Sequence, residues 1–176
     1  VRACDPARPS VESRECERPF VYTTQRYLPT LREMTVAQGL DLVLPGREIS
    51  AAGINPQVVE GRPFMGDLAF EDPAVGDRLL VVQTTPPGLV RMDTSLGDDD
   101  SPVDAILGVV PLCDDPNVLA VHRPEGGEAL ALVTCATAAR LAVVGLGSLR
   151  VLASVPVGAG AYEVVIDEER QQAYVS

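Results

Sequence analysis

Apolar positions in this chain fall into short runs that end in small polar residues: FVYTTQ from Phe20, LLVVQTT from Leu79, LALVTCA from Leu130 and QAYVS from Gln172. Anchored on Tyr22, Val82, Val133 and Val175, the runs recur at intervals of roughly 40 to 60 residues, the range of repeat architectures. Each anchor has companions in a constant order. LREMTVA (from Leu31), GLVRMDTS (from Gly88) and ARLAVVGL (from Ala139) follow it across a polar or proline-bearing turn. LDLVLPG (from Leu40), VDAILGVVPL (from Val103) and RVLASVPVG (from Arg150) come next. The later anchors are preceded by DLAFEDPAVGD (from Asp67), NVLAVHRPEGGE (from Asn117) and YEVVIDEERQ (from Tyr162). Each of these is a strand followed by a tight acidic or glycine-bearing turn, which is the hairpin signal. The alternation in VRMDTS and the runs LLVVQ and EVVID favour strand. ESRECERPF and PTLREMTVAQGLDL alone allow a turn or two of helix.

Strands in that order predict antiparallel four-stranded units, and the spacing is that of propeller blades. The units run over about 20–66, 67–116 and 117–161, with the start of another at 162–176, after an N-terminal extension at 1–19. A β-sandwich is the alternative, since it also shows short strands with turn signals every ~8–12 residues. Shared strand order, beyond shared spacing, favours blades.

The closing segment VLASVPVGAGAYEVVIDEERQQAYVS resembles the repeat of the bacterial β-propellers named for their Tyr-Val-Thr-Asn (YVTN) strand. Ala173-Tyr174-Val175-Ser176 stands at that strand, and VPVGAG at Val155–Gly160 resembles the family's strand-ending Val-Gly turn. Asp93 in VRMDTS sits where the repeat often carries Asp. The resemblance covers roughly Phe20 to Ser176 and is degenerate in the earlier units. Val109-Val110-Pro111-Leu112 lacks the glycine turn, and the Gly46–Met65 connection is longer than usual. The resemblance implies a fold more than an activity. A ring normally needs at least four blades. The chain holds about three, so further blades of the same polypeptide, or a second chain, are expected to complete it.

The four cysteines, Cys4, Cys16, Cys113 and Cys135, allow three pairings. In a blade whose strands alternate in direction, the second strand ends where the first begins. Cys113 precedes a first strand and Cys135 ends the second strand of the same unit, so these two are expected to meet, leaving Cys4 and Cys16 as a local pair. Disulfides imply an oxidising compartment, which predicts a periplasmic, outer-membrane-surface or secreted protein. Val1-Arg2-Ala3-Cys4 also faintly resembles the end of a lipoprotein signal, with Cys4 as the lipidated residue, which conflicts with a Cys4–Cys16 bond.

A net charge of −11, with arginine as the only strong base, supplies no basic patch for nucleic acid or anionic membranes. No apolar run approaches the ~18 residues of a spanning helix. The nearest cysteines are too far apart for a zinc template, and the single histidine, His122, lies in a strand pattern. The sequence carries no GxSxG elbow, phosphate loop or HExxH helix. Asp98-Asp99-Asp100 with Asp104 suggests calcium by its oxygen density, but its spacing differs from the EF-hand loop. Asp114-Asp115 reads likewise as a solvated turn. No cofactor is expected.

Loops on a rigid scaffold are the usual carriers of binding. The connections sharing one face are Gln25–Pro29, Arg47–Met65, Thr84–Pro87, Asp114-Asp115 and Ala136–Ala138. The channel-lining strands offer Asp67, Glu71, His122, Glu163 and Asp167. The favoured expectation is an extracytoplasmic platform that binds protein partners and performs no catalysis. The alternative is an enzyme of lactonase-like or redox-cofactor type, whose ligands converge in the channel.

Overall fold

The computed structural model describes residues 20–25, 28, 30–37, 42–50, 65–98 and 102–176. Cys4, Cys16, Asp99 and Asp100 lie outside the described residues. Thirteen strands form four antiparallel sheets in chain order, with no helix among the described residues. The first sheet holds β1 (Phe20–Thr24), β2 (Thr30–Ala37) and β3 (Leu42–Ser50). The second holds β4 (Met65–Phe70), β5 (Arg78–Gln83), β6 (Gly88–Asp93) and β7 (Ala105–Pro111). The third holds β8 (Pro116–His122), β9 (Leu130–Cys135), β10 (Arg140–Gly145) and β11 (Arg150–Pro156), and the fourth holds β12 (Val164–Asp167) and β13 (Gln172–Val175). Within each sheet every strand pairs with its neighbour in sequence. The sheets do not close on one another. The helical alternative for PTLREMTVAQGLDL is overturned over its described residues, because Thr30–Ala37 form β2 and Leu42 opens β3. The first long connection also begins later than its sequence suggests, since β3 runs on through Ser50.

Register fixes which residues are equivalent between sheets. Leu68 faces Val81, Leu119 faces Val133, and Val164 faces Val175. The repeat anchor of the second sheet is therefore Val81, one residue before the Val82 read from the sequence. Both hairpins explain the slip: Gln83 pairs with Gly88 and Cys135 with Arg140, each across four turn residues. Gln83 thus matches Cys135, whereas anchoring Val82 on Val133 sets it against Thr134. A one-residue shift moves every side chain to the other face, so the correction decides which wall each residue belongs to.

The second and third sheets are apolar on both faces. Leu79, Val81, Val90 and Met92 pack against Phe20, Tyr22 and Leu31 of the first sheet. Leu80, Val82, Leu89 and Val110 pack against Leu119, Ala131, Val133 and Val144 of the third. Beyond the third sheet a smaller cluster of Leu132, Leu141 and Val164 joins it to the fourth. The first strands lie side by side, β4 against β8 and β8 against β12. The second strand of each sheet also touches the first strand of the next, β5 on β8 and β9 on β12, and β1 meets β4 in the same way. Threonines near the ends of those second strands latch the sheets together. Thr24 Oγ1 donates to the Gly66 carbonyl at 2.8 Å, Thr84 Oγ1 to Pro116 at 3.0 Å and Thr134 Oγ1 to Tyr162 at 3.0 Å.

Cys113 and Cys135 form the expected disulfide, with Cα atoms 5.9 Å apart. The outer strands face solvent. Ile106, Leu107 and Val109 of β7 and all seven residues of β11 are exposed. Val110 and Val155 occupy equivalent positions opposite Leu89 and Leu141, yet Val110 is 4% exposed and Val155 44%. The third sheet covers the first of these, and the two-stranded fourth sheet does not reach the second.

Buried and exposed apolar residues are expected to differ in their energetic weight. Leu80→Ala should destabilise the fold by about 2–5 kcal/mol in urea denaturation. Leu152→Ala, on the open face of β11, should stay within about 0.5 kcal/mol. Equal losses would contradict the packing described.

Candidate functional site

The first strands all begin at one end of the sheets, where a cleft of 390 Å³ opens. Every sheet contributes to it: Thr24 from the first, Met65, Gly66 and Asp67 from the second, Asn117 and Val118 from the third, and Tyr162 and Glu163 from just before β12. In register, Gly66, Asn117 and Tyr162 are equivalent, as are Asp67, Val118 and Glu163. The cleft is thus one two-residue position repeated around neighbouring sheets. Glycine at 66 is required by close approach, because a Cβ there would collide with the Asn117 carbonyl. The connections at Thr84–Pro87, Asp114-Asp115 and Ala136–Ala138 border this same end.

Of the channel-strand acids, the structure brings only Asp67 and Glu163 to this cleft. Asp67 is tied down: its Oδ1 accepts from the Leu68 amide at 2.9 Å and its Oδ2 from the Leu119 amide of β8 at 3.2 Å. It thereby bridges the second and third sheets. Glu163 is exposed. Glu71, His122 and Asp167 stand at the opposite ends of their strands. Glu71 takes a bidentate bond from Arg91, at 2.8 and 2.7 Å. Asp167 accepts from the Arg170 amide at 3.0 Å and its Nη1 at 2.6 Å. Those bonds hold its carboxyl below the ordinary value of 3.8. His122 Nδ1 lies 2.7 Å from Glu168 Oε2. Sequence reasoning passed over Thr24, Asn117 and Tyr162. Thr24 alone had a visible signal, the small polar residue that closes each anchor run and marks the latches.

Asp104, one of the aspartates that suggested calcium, is engaged by two side chains of the first sheet. Its Oδ1 accepts from Tyr22 Oη at 2.9 Å, and its Oδ2 pairs with Arg47 of β3. Arg47 also lies 3.6 Å from Oε2 of Glu33, a buried β2 residue. One guanidinium therefore serves two carboxyls where the first sheet meets the segment before β7. A Cβ on Gly46 would stand 2.9 Å from Glu33 Oε1, so the absence of a side chain there gives Glu33 its room. Burial, then the charge of Asp104, raises Glu33 above its ordinary 4.5, against the pull of Arg47. Asp115 is likewise engaged, accepting from Thr137 Oγ1 at 3.0 Å. Among the described residues no group of three or more His, Cys, Asp or Glu is arranged to hold a metal ion. No helix among them is long and apolar enough to cross a membrane.

No protein-family model matches the chain, and no curated protein matches it either.

The Glu33 cluster sets a pH dependence. A carboxyl whose folded pKa is raised binds its proton more tightly in the native state, so its contribution is fullest below pH 4.5 and is lost as pH rises through the folded value. Glu33→Gln should remove this decline, so that the variant gains stability relative to the parent across about pH 4 to 8. Urea midpoints measured over that range check it. A constant difference between the two proteins would contradict the assignment.

Proposed function

We propose that the four sheets are successive blades of a β-propeller of the YVTN-repeat kind, and that the protein works outside the cytoplasm as a binding platform. Four sheets in chain order, first strands side by side and a threonine latch at each junction support the blade reading over a sandwich. Further strands pairing onto β13, from the same polypeptide or a partner, would complete the fourth sheet.

The observation that carries the platform reading is the cleft to which all four sheets contribute. Its polar groups, the exposed Tyr162 and Glu163 and the half-buried Asn117, suit hydrogen bonding to a partner protein. Asp67 is already held by two amides, so its role there is to fix the β4–β8 junction. The disulfide supports an oxidising compartment, since such bonds rarely persist in the cytosol.

A second reading, an enzyme of lactonase-like type, is favoured by one observation: Asp67 and Glu163 share the cleft. Calcium titration separates the two. The platform predicts no cation binding tighter than about 1 mM, the weak end of extracellular calcium modules. Tighter binding that Glu163→Gln abolishes would favour the enzyme.

Two further outcomes are expected. A photo-crosslinking residue placed at Asn117 in the native host should yield adducts with a second polypeptide, whereas one at Val151 should not. The reverse pattern would move the platform to the outer strands. Non-reducing mass spectrometry of protein from that host should show Cys113 joined to Cys135. Alkylation of both thiols without prior reduction would argue against an extracytoplasmic location.

A further inference from the structure

At the end of the sheets opposite the cleft, a second cavity of 190 Å³ lies between the third and fourth sheets. Its walls are Leu130, Leu132 and Val143 on one side and Ile166 and Ala173 on the other, with His122 at its polar edge. The equivalent space between the second and third sheets is filled. There Glu71 and Arg91 form their bidentate pair, and Arg123, just past β8, reaches across to the Glu71 carbonyl. Register makes His122 the counterpart of Glu71, Val143 of Arg91 and Glu168 of Arg123. The crossing contact is kept with its chemistry exchanged, since Glu168 now reaches His122. The long arginine that fills the space is not kept. Valine in its place leaves an apolar hollow, at a junction where the facing sheet has two strands in place of four.

The hollow has the chemistry of a small-molecule site. An apolar cavity of about 150 Å³ is enough to hold a benzene ring. Glu168 Oε2 stands 2.7 Å from Nδ1 without hydrogen-bond geometry, and a carboxylate so close disfavours a lone pair on that nitrogen, which points to Nε2 as the imidazole's acceptor. Nε2 has no protein partner among the described residues. A ring with one hydroxyl matches both features, its body against the leucines and valine and its O–H donated to Nε2.

We infer that the cavity walled by Leu130, Leu132, Val143 and Ile166 binds a free small molecule of the phenol class, an apolar ring whose single hydroxyl is received by His122. The site is independent of the cleft and of the platform reading. It needs no catalytic step, and Gln171 and Gln172 at its rim leave it open for entry.

Titration of the full chain with phenol and with benzene, followed by two-dimensional NMR of the methyl groups, tests the inference. Shifts confined to Leu130, Leu132, Val143 and Ile166 are expected, with phenol binding about fivefold or more tighter than benzene, the value of one hydrogen bond. His122→Phe should bring the two ligands to equal affinity. Val143→Arg, which restores the filled arrangement of the preceding junction, should weaken both at least tenfold. Val143→Phe, which fills the space without a charge, should do the same and serves if the arginine variant does not fold. Absence of saturable shifts at 10-millimolar-scale ligand, binding that survives Val143→Phe, or a phenol preference that survives His122→Phe would each overturn it.

Discussion

A β-sheet with apolar side chains on both faces cannot stand in water alone, and this requirement governs how the chain is arranged. Burial of apolar surface is the main favourable term in folding. The second sheet satisfies it through β5 and β6, with the first sheet on one face and the third on the other, and only its outer strand β7 meets solvent. The third is covered on one face and only partly on the other, where a two-stranded sheet meets it. The contrast between Val110 and Val155 follows from this alone. So does the gradation along each sheet, from first strands held between neighbours to outer strands that meet solvent.

Specific polar bonds then set the order and spacing that burial leaves free. Three threonine hydroxyls each find a carbonyl on the next sheet, and Asp67 accepts an amide from β8. These bonds satisfy backbone groups that a junction between separate sheets would otherwise leave unpaired, and leaving such groups buried and unmade is expensive. Carboxylates that read as candidate ligands in the sequence are largely used in this way. Asp67, Glu71, Asp104, Asp115 and Asp167 each have a donor or an arginine beside them. Their density reflects the need to fix junctions and turns, with Glu163 left exposed at the cleft.

Strand order and strand type were legible in the sequence because alternation and turn residues act locally. Cys113 and Cys135 were legible because strand direction alone brings them together. Register was not: Val81 and Val82 are adjacent valines, and only the four-residue turns showed that Val81, not Val82, matches Val133. The cleft was partly hidden for a similar reason. Asp67 and Glu163 lie far apart in sequence but share one position in the repeat, and Asn117 and Tyr162 carry no motif. The Arg91-to-Val143 exchange was invisible until register made those two residues equivalents. The pairing of Glu33 with Asp104 depends on a junction between sheets that no local pattern encodes.

The account rests on first strands being interior although each has only one hydrogen-bonded neighbour within its own sheet. β8 and β11 are the two edges of one sheet, so they separate this account from a simple exposed sheet. Native-state hydrogen exchange resolved by residue tests it directly. The amides of β8 bonded to β9 should exchange slower than those of β11 bonded to β10 by on the order of tenfold or more, because β8 lies between β4 and β12. Equal exchange at the two edges, or faster exchange at β8, would contradict the arrangement.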